Sequence, residues 1–421
     1  DAMAGFTVAL LAVPQAMAYA LVAGLPLSAG LLSAFIGVIF GASFGSSRHL
    51  VMGPTNAIAI LIQAATADIL YTHFRGLEGL ERELMAGEIV IQITLLIGIL
   101  QLLASGLGLG RLVQFVSRSV VVGYVNGAAL AIFVGQLFVA CGIQKQEGGQ
   151  AVWAQLCAFV LQLKALHLPT LVVTCASLFL LAALRRTHWR VPPTVLMLGI
   201  VSGVLLLLGG SSWGVRMVGD YGTLDQVLPS IHFPVLRMRY LNEVLPHAFA
   251  IALLGILEAT SAAKAVSLRS GRRFQINQEI FGLGVCNLFS AGIGAMPAYG
   301  SASRSFLNFH SGARTRCAAV FSGLWVGVIW ALLGGVVVYI PLAALSAILF
   351  LTAATMVDWS QLRLCLRATG ADAAVLLVTT TAAVFMSLDV AFYTGVMLSL
   401  ALYLREASIP RFLEHPMPVL N

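Results

Sequence analysis

Apolar stretches of roughly twenty residues recur along the whole chain and are separated by short polar segments. An α-helix needs a stretch of about this length to cross the hydrocarbon core of a bilayer. Only 10% of the 421 residues are charged, whereas soluble proteins average about a quarter. The pattern predicts an all-α polytopic membrane protein with fourteen transmembrane segments.

The chain carries a net charge of +7 at neutral pH, which raises the question of a nucleic-acid partner. Its basic residues do not form a patch interleaved with stacking aromatic side chains, as nucleic-acid-binding surfaces do. They lie between the apolar runs, and with the first span starting inside, most of the 24 Lys and Arg residues fall on the cytoplasmic side. This asymmetry follows the positive-inside rule. We therefore predict no nucleic-acid partner and place both termini in the cytoplasm.

One apolar region is interrupted by the polar segment MPAYGSASRSF, Met296–Phe306. Pro297 cannot donate a backbone hydrogen bond and Gly300 favours irregular backbone, so a new helix is predicted to begin at about Ser301–Ser303. Broken backbone at membrane depth is tolerated only where it lines a cavity or is buried in protein. The free N–H groups and positive dipole end of such a helix, with Arg304 just inside it, predict an anion site.

A second proline interrupts the segment VMGPTNAIAI, and the two breaks are related by a constant offset. Pro54 and Pro297 are 243 residues apart (297 − 54), and the same offset takes Gln15 to Glu258 (15 + 243). Gln15 is the polar residue in the middle of span one, and Glu258 is the lone carboxylate in the middle of span eight. Because each half has seven spans, an odd number, the second half enters the membrane in the opposite orientation. We predict an inverted 7+7 repeat.

Spans three and ten are predicted to be half-helices, which begin near Thr55 and Ser303. In an inverted repeat their N-termini point at one place near the midplane of the membrane. Two positive dipole ends and one arginine favour an anion at that place. The sequence therefore predicts a small anion as the ligand.

The two ionisable residues at this place each have a structural alternative. Arg304 can bind the anion, or it can form a structural ion pair or extend towards the interface. Glu258 can bind a coupling ion, proton or sodium, or it can form a salt bridge to Arg304. Because charged residues inside a membrane are costly, we predict functional roles for both.

Four further residues are candidates for the walls of the pocket. Gln15 either binds the ligand or links two helices by a hydrogen bond. Tyr19, one turn later, either lines the pocket or packs in the core. Ser301 and Ser303 are expected to cap the helix, which is compatible with binding.

The remaining polar residues show no pattern typical of an enzyme or a metalloprotein. The six cysteines are scattered without a CxxC pair, and the histidines in predicted loops have no ligand-like spacing. No nucleophile–base pair faces the predicted cavity. We predict a protein that is not an enzyme and has no catalytic residues, metal site or cofactor.

Four ordered motifs, which span nearly the whole chain, resemble the SulP family of sulfate permeases, which includes prestin and pendrin. The motifs are VPQAMAYALVAGLPLSAGL (Val13–Leu31), FGSSRHLVMGPTNA (Phe44–Ala57), INQEIFGLGVCNLFSA (Ile276–Ala291) and SASRSFLNFHSGARTR (Ser301–Arg316). The resemblance implies the uracil-permease-like fold, in which a core moves against a gate and an anion binds between spans three and ten. It also implies a homodimer, membrane-lipid contacts and a location in the cell inner membrane.

The resemblance implies the following division of the chain. The core comprises residues 1–110 (spans 1–4) and 241–340 (spans 8–11), the gate comprises residues 111–240 (spans 5–7) and 341–405 (spans 12–14), and residues 406–421 begin a linker. In the family this linker leads to a cytoplasmic STAS domain, which also contributes to the dimer. We expect the 421 residues to lack that domain.

The family's binding residues carry over to positions already identified from the sequence. The substrate-binding set is implied to be Gln15, Tyr19, Pro54, Thr55, Asn56, Ser301, Ala302, Ser303 and Arg304. Glu258 matches a span-eight carboxylate that serves sodium or proton coupling in some members. Thr55 replaces an aromatic residue found in other members, so the size of the pocket does not carry over.

These observations predict a secondary anion transporter that works by alternating access with proton-coupled symport. An uncoupled anion exchanger or a chloride-channel-like protein of the same family is the alternative. A nucleobase permease of the same fold is disfavoured, because such permeases carry an acidic residue on span ten, whereas this chain has Arg304 there. The anion stays open among sulfate, bicarbonate, chloride and dicarboxylates such as fumarate.

Overall fold

The computed structural model describes residues 1–74, 76–77, 79–110, 117–143, 151–186, 192–209, 213–221 and 240–408. Residues 111–116, at the start of the predicted gate, and residues 409–421, in the predicted linker, lie outside this set. Within it the regular structure is helical, apart from two isolated β-bridges. The predicted all-α fold class is confirmed.

Seventeen α-helices follow one another along the described chain. Those of the first half are α1 (Ala2–Ala23), α2 (Leu27–Leu32), α3 (Val38–Phe44), α4 (Asn56–His73), α5 (Gly79–Gly106), α6 (Arg118–Ala140), α7 (Val152–Leu161), α8 (Leu168–Leu184) and α9 (Pro193–Leu207). Those of the second half are α10 (Leu241–Ser270), α11 (Ile276–Gly292), α12 (Ala302–His310), α13 (Cys317–Val337), α14 (Leu342–Met356), α15 (Trp359–Ala368), α16 (Gly370–Phe385) and α17 (Leu388–Ala407).

Seven helical segments of the described chain are long and apolar enough to cross a membrane, and further apolar helices of 10–17 residues lie between them. The shorter helices include α8, α9 and α16. The helix α12 has only nine residues, as expected of a half-helix. The number of fourteen transmembrane segments stays a prediction.

The helices pack in two groups. In one group α1 packs on α13, α5 on α11, and α10 on α5 and α12. In the other group α6 packs on α14, α16 and α17, while α8 packs on α14 and α9. Helix α4 also meets α6 and α17 of the second group, and α10 meets α17. Helices α4 and α12 both pack on α1 and α10 of the first group. Helix α12 is short, but α4 has 18 residues, about 27 Å, so the prediction of a half-helix is wrong for the length of span three.

Candidate anion-binding site

The two predicted backbone breaks lie side by side in the structure. Val51 and Ser301 form an antiparallel β-bridge. The Gly53 N–H donates to the Tyr299 carbonyl at 3.0 Å, and the Tyr299 N–H donates to the Gly53 carbonyl at 2.8 Å. These bonds satisfy backbone groups that the broken helices leave free, and they join the two halves of the chain at the start of α4 and α12.

The start of α12 is capped by Ser301, as predicted, whereas Ser303 lies inside the first turn and does not cap it. The Ser301 hydroxyl accepts from the Arg304 N–H at 3.5 Å and lies 3.2 Å from the Ser303 hydroxyl. Ala302 and Ser303 are exposed, and Ser301 is half-buried. The first turn of α12 is therefore open to a ligand, and its N–H groups and dipole favour an anion.

The start of α4 is buried and is built differently. Pro54, Thr55 and Asn56 are all buried, and the Thr55 side chain makes no capping bond to its own helix. Instead its hydroxyl donates to Glu258 Oε2 at 3.2 Å. The Asn56 amide donates to the sulfur of Met356 on α14 at 3.4 Å. The predicted coupling carboxylate therefore lies directly against the helix start that is predicted to hold the anion.

Arg304 is only 1% exposed, and two of its guanidinium nitrogens, Nε and Nη2, have no hydrogen-bond partner. Among the described residues no carboxylate lies within 4.0 Å of it, so the structural alternative of an Arg304–Glu258 salt bridge is not formed. Burying a charge without a partner costs several kcal/mol. The unpartnered guanidinium nitrogens therefore make Arg304 the strongest candidate for an anion-binding residue at this place.

The remaining predicted residues, on α1, also come to this place. The helix runs unbroken through Pro14, and it places Gln15 and Tyr19 one turn apart. Both side chains are buried, and Gln15 Oε1 has no hydrogen-bond partner. The Tyr19 hydroxyl is close enough to Arg304 and Glu258 to interact with their charges. The structure therefore brings Tyr19 to Arg304 and Glu258, and Gln15 lies one turn before Tyr19 on the same helix.

Several supporting residues were not predicted from the sequence. The Ser305 hydroxyl donates to the Ser301 carbonyl at 2.6 Å and accepts from the Val51 N–H at 2.9 Å, so it ties the two broken segments together. The Asn287 side chain accepts from the Ala298 N–H at 2.8 Å and donates to Gln101 Oε1 at 2.8 Å. Polar residues within apolar or broken segments were the available signal. Val51 and Gln101, with which Ser305 and Asn287 bond, are distant from them in sequence, so the sequence alone could not predict these contacts.

Two glycines allow the close approach at this place. Gly53 has a φ of 142°, and a Cβ there would lie 3.1 Å from Nη2 of Arg304. A Cβ on Gly255 of α10 would lie 1.5 Å from the ring of Tyr299. The Tyr299 ring is fully buried, and its hydroxyl donates to the Ile251 carbonyl at 3.3 Å. The ring therefore cannot move aside without losing this hydrogen bond and its buried contacts.

We expect Gly255→Ala to lower stability by about 1–3 kcal/mol, because the added methyl group overpacks this contact. Thermal unfolding of the purified protein in detergent measures the effect. Gly135→Ala on α6 is the matched control, since a Cβ there meets nothing within 4 Å and alanine favours a helix by about 0.5–1 kcal/mol over glycine. Equal melting temperatures for the two variants would contradict the described packing of Tyr299.

Comparison with known proteins places this architecture in a family. The chain matches the sulfate permease family over residues 1–379. It is 30% identical over 416 residues to "Sulfate transporter 4.1, chloroplastic" of Arabidopsis thaliana, an alignment that covers 97% of this chain and 59% of the relative. It is also 30% identical over 416 residues to a probable sulfate transporter of Mycobacterium tuberculosis, which covers 99% of this chain and 71% of the relative. The chain thus spans about three-fifths of the length of the plant relative.

Solved structures show the same fold. The transmembrane domain of the cyanobacterial bicarbonate transporter BicA superposes with a TM-score of 0.80 at 21% identity, covering 95% of this chain and 96% of that one. Murine Slc26a9, an anion transporter solved in the inward-facing state, gives a TM-score of 0.88 at 18% identity, covering 97% of this chain and 69% of that one. Together with the sequence match, the shared fold leads to one conclusion: this chain belongs to the sulfate permease (SulP) family.

Proposed function

We propose that the chain is a secondary transporter of small anions that works by alternating access. The observation that carries the proposal is the buried guanidinium of Arg304, which has two unpartnered nitrogens beside the starts of two helices. The names of the relatives point to sulfate and bicarbonate as the first candidates. Dicarboxylates such as fumarate and chloride are the next candidates.

The anion is held by charge and by hydrogen bonds in this proposal. The planar guanidinium of Arg304 offers a fork of donors that matches a planar or tetrahedral oxyanion. The first N–H groups of α4 and α12 add donors and positive dipole ends. The walls of the site are Gln15, Tyr19 and the residues next to the two breaks. A small anion that is bound mainly by N–H donors needs no metal or cofactor.

Transport requires that the site open to each side of the membrane in turn. We propose that residues 1–110 and 241–340 form a core that carries the site, and that residues 111–240 and 341–405 form the gate. The contact of Asn56 with Met356 lies where the two meet. Movement of the core against the gate breaks this contact and exposes the anion to one side at a time.

Glu258 couples transport to protons in the same proposal. Its carboxylate accepts a hydrogen bond from Thr55, at the start of α4, and its charge interacts with that of Arg304. A bound anion offsets the positive charge of Arg304, so anion binding favours protonation of Glu258, and protonation favours anion binding. This reciprocity supports proton–anion symport over uncoupled exchange. Sodium is the alternative coupling ion.

We also propose a membrane topology, a location and an oligomeric state for the protein. Both termini lie in the cytoplasm, so that α10 begins on the outer side of the membrane. The protein resides in a cell membrane among lipids and forms a homodimer. Chemical crosslinking in membranes, followed by electrophoresis, checks the dimer, and a monomer as the sole species would contradict it.

The experiment that tests the function is uptake into proteoliposomes that contain the purified protein. Labelled sulfate, bicarbonate, chloride and fumarate are supplied in turn, with and without a pH gradient. We expect at least one anion to enter above the level of protein-free liposomes and to accumulate when the outside is acidic. No uptake of any anion would contradict the proposed function. Uptake that ignores proton and sodium gradients would favour an exchanger.

A further inference from the structure

A histidine is held between two carboxylates at the end of the molecule where α10 begins. His247 Nε2 lies 3.5 Å from Asp68 Oδ2 on α4, and His247 Nδ1 lies 3.4 Å from Asp389 Oδ2 on α17. The side chain of His247 is 12% exposed and that of Asp389 is 17% exposed, while that of Asp68 is 48% exposed. We call these three residues the outer histidine bridge.

The bridge is well separated from the anion site. Asp68 lies thirteen residues after Thr55 on α4, and His247 lies eleven residues before Glu258 on α10. At a rise of 1.5 Å per residue, the bridge is roughly 17–20 Å from the Thr55–Glu258 contact, along two antiparallel helices. It is therefore a titratable group that neither the proposed anion site nor the Glu258 coupling site uses.

In the proposed mechanism the outer histidine bridge joins the core to the gate. His247 and Asp68 are both on the core, whereas Asp389 is on the gate. A second contact crosses the same boundary, since the Tyr393 hydroxyl, one turn after Asp389, donates to the carbonyl of Pro246. Movement of the core against the gate therefore keeps the His247–Asp68 pair and separates His247 from Asp389.

We propose that His247 is a second proton-binding site, and that its protonated form holds the core against the gate and keeps the outer side of the transporter closed. A neutral imidazole can donate from only one of its two ring nitrogens. Only the imidazolium carries a positive charge that can form an ion pair with both Asp68 and Asp389 at these distances. The closed arrangement therefore binds the proton more tightly than the open one, and by linkage the proton favours the closed arrangement.

Other ionisable groups lie near the bridge on each of the helices that pack around it. On its own helix, Glu243 pairs with His73 of α4 at 3.4 Å. On α17 the Tyr393 hydroxyl donates to the carbonyl of Pro246. Tyr124 of α6 lies close enough to Asp389 to interact with its charge. On α5, Gln92 donates to the hydroxyl of Tyr240, seven residues before His247, and Glu88 lies one turn before Gln92.

We expect an acidic pH outside the cell to close the outer side of the transporter. Histidine is the side chain whose charge ordinarily changes between about pH 5 and pH 8. As the outer pH falls and His247 binds a proton, the population with the site open to the outside should fall. Because the bridge is partly exposed, we expect a change on the order of three- to tenfold. The bridge changes how often the outer side opens, and it leaves the energetic coupling through Glu258 unchanged.

The proposal rests on alternating access, and a thiol-accessibility experiment tests it. Ala302→Cys, at the exposed start of α12, serves as the reporter in a protein whose six native cysteines are replaced by serine or alanine. Intact cells are treated from the outside with a membrane-impermeant thiol reagent at several values between about pH 5.5 and pH 8. The same reporter is placed in Asp389→Asn and in Asp68→Asn. Comparison at equal pH cancels the intrinsic pH dependence of the thiol.

We expect labelling of the Ala302→Cys reporter protein that keeps both carboxylates, the parent of this experiment, to fall at acidic pH. Labelling should fall less in Asp389→Asn, in which the ion pair of His247 with the gate is lost. Asp68→Asn is the matched control, because it removes an equal charge within the core and should keep the acid response. Equal pH responses in the parent and in Asp389→Asn would overturn the proposal. A response lost only in Asp68→Asn would overturn it as well.

The anion-uptake experiment on the parent separates this failure from failure of the proposed function. Uptake without an Asp389-dependent acid response would overturn the bridge alone. If no protein is labelled from the outside at any pH and no anion is taken up, alternating access itself is contradicted, and the proposal falls with it.

Discussion

Arg304→Ala is expected to lower anion uptake on the order of 100-fold while the protein stays folded. The substitution removes the buried positive charge beside the start of α12, together with two or more charge-assisted hydrogen bonds to the anion worth about 1.5–3 kcal/mol each. It leaves no buried carboxylate unpaired, because no described carboxylate lies within 4.0 Å of Arg304. Initial rates of uptake into proteoliposomes at several anion concentrations measure the effect.

Two further variants sharpen this prediction. Arg304→Lys is expected to restore uptake only in part, since an ammonium group keeps the charge but lacks the planar fork of donors. Arg314→Ala is the matched control, because Arg314 is exposed in the loop after α12 and its loss should leave uptake unchanged. Uptake and affinity of Arg304→Ala equal to those of the parent would show that the helix dipoles bind the anion without the arginine.

Glu258→Gln is expected to abolish accumulation driven by a pH gradient while anion exchange continues. Glutamine imitates the protonated carboxyl group, and its side-chain oxygen can still accept the hydrogen bond from Thr55. A one-to-one symporter concentrates its anion up to roughly tenfold for each pH unit of gradient, from the free energy of about 1.4 kcal/mol per unit. In Glu258→Gln the ratio of anion inside to outside should stay near one.

Uptake and exchange of labelled anion in the same proteoliposomes check this prediction. Glu81→Gln, which removes an exposed carboxylate at the start of α5, is expected to behave like the parent. If Glu258→Gln still concentrates the anion when only a proton gradient is supplied, the coupling site lies elsewhere. If a sodium gradient alone drives anion uptake by the parent, Glu258 remains the proposed coupling residue and the coupling ion is sodium.

The sequence alone could indicate the candidate site because its residues are unusual where they occur. A proline within an apolar run breaks a helix, and an arginine inside a membrane is costly, so Pro54, Pro297 and Arg304 stood out without any structure. The offset between the two prolines then led from Gln15 to Glu258. The structure places Glu258 against Thr55 and has helix starts at Asn56 and Ala302, directly after the two breaks.

The supporting contacts could not be predicted because they depend on distant partners. Ser305 bonds Val51, which is 254 residues away, and Ser46 bonds Glu279 across 233 residues. Gly255 matters only because the ring of Tyr299 packs against it. The pairing of His247 with Asp389 likewise depends on how α10 meets α17. Local sequence patterns report how a residue fits its own helix, and they do not report which helix lies opposite.

The most direct test of the account is to locate the anion itself. We would determine crystal structures of the protein soaked in selenate, an analogue of sulfate, and in bromide, and record the anomalous scattering of selenium or bromine. The account predicts a peak between the first turns of α4 and α12, within about 4 Å of the Arg304 guanidinium, that is absent in Arg304→Ala. A bound anion at another place, with Arg304 paired to Glu258 instead, would contradict it.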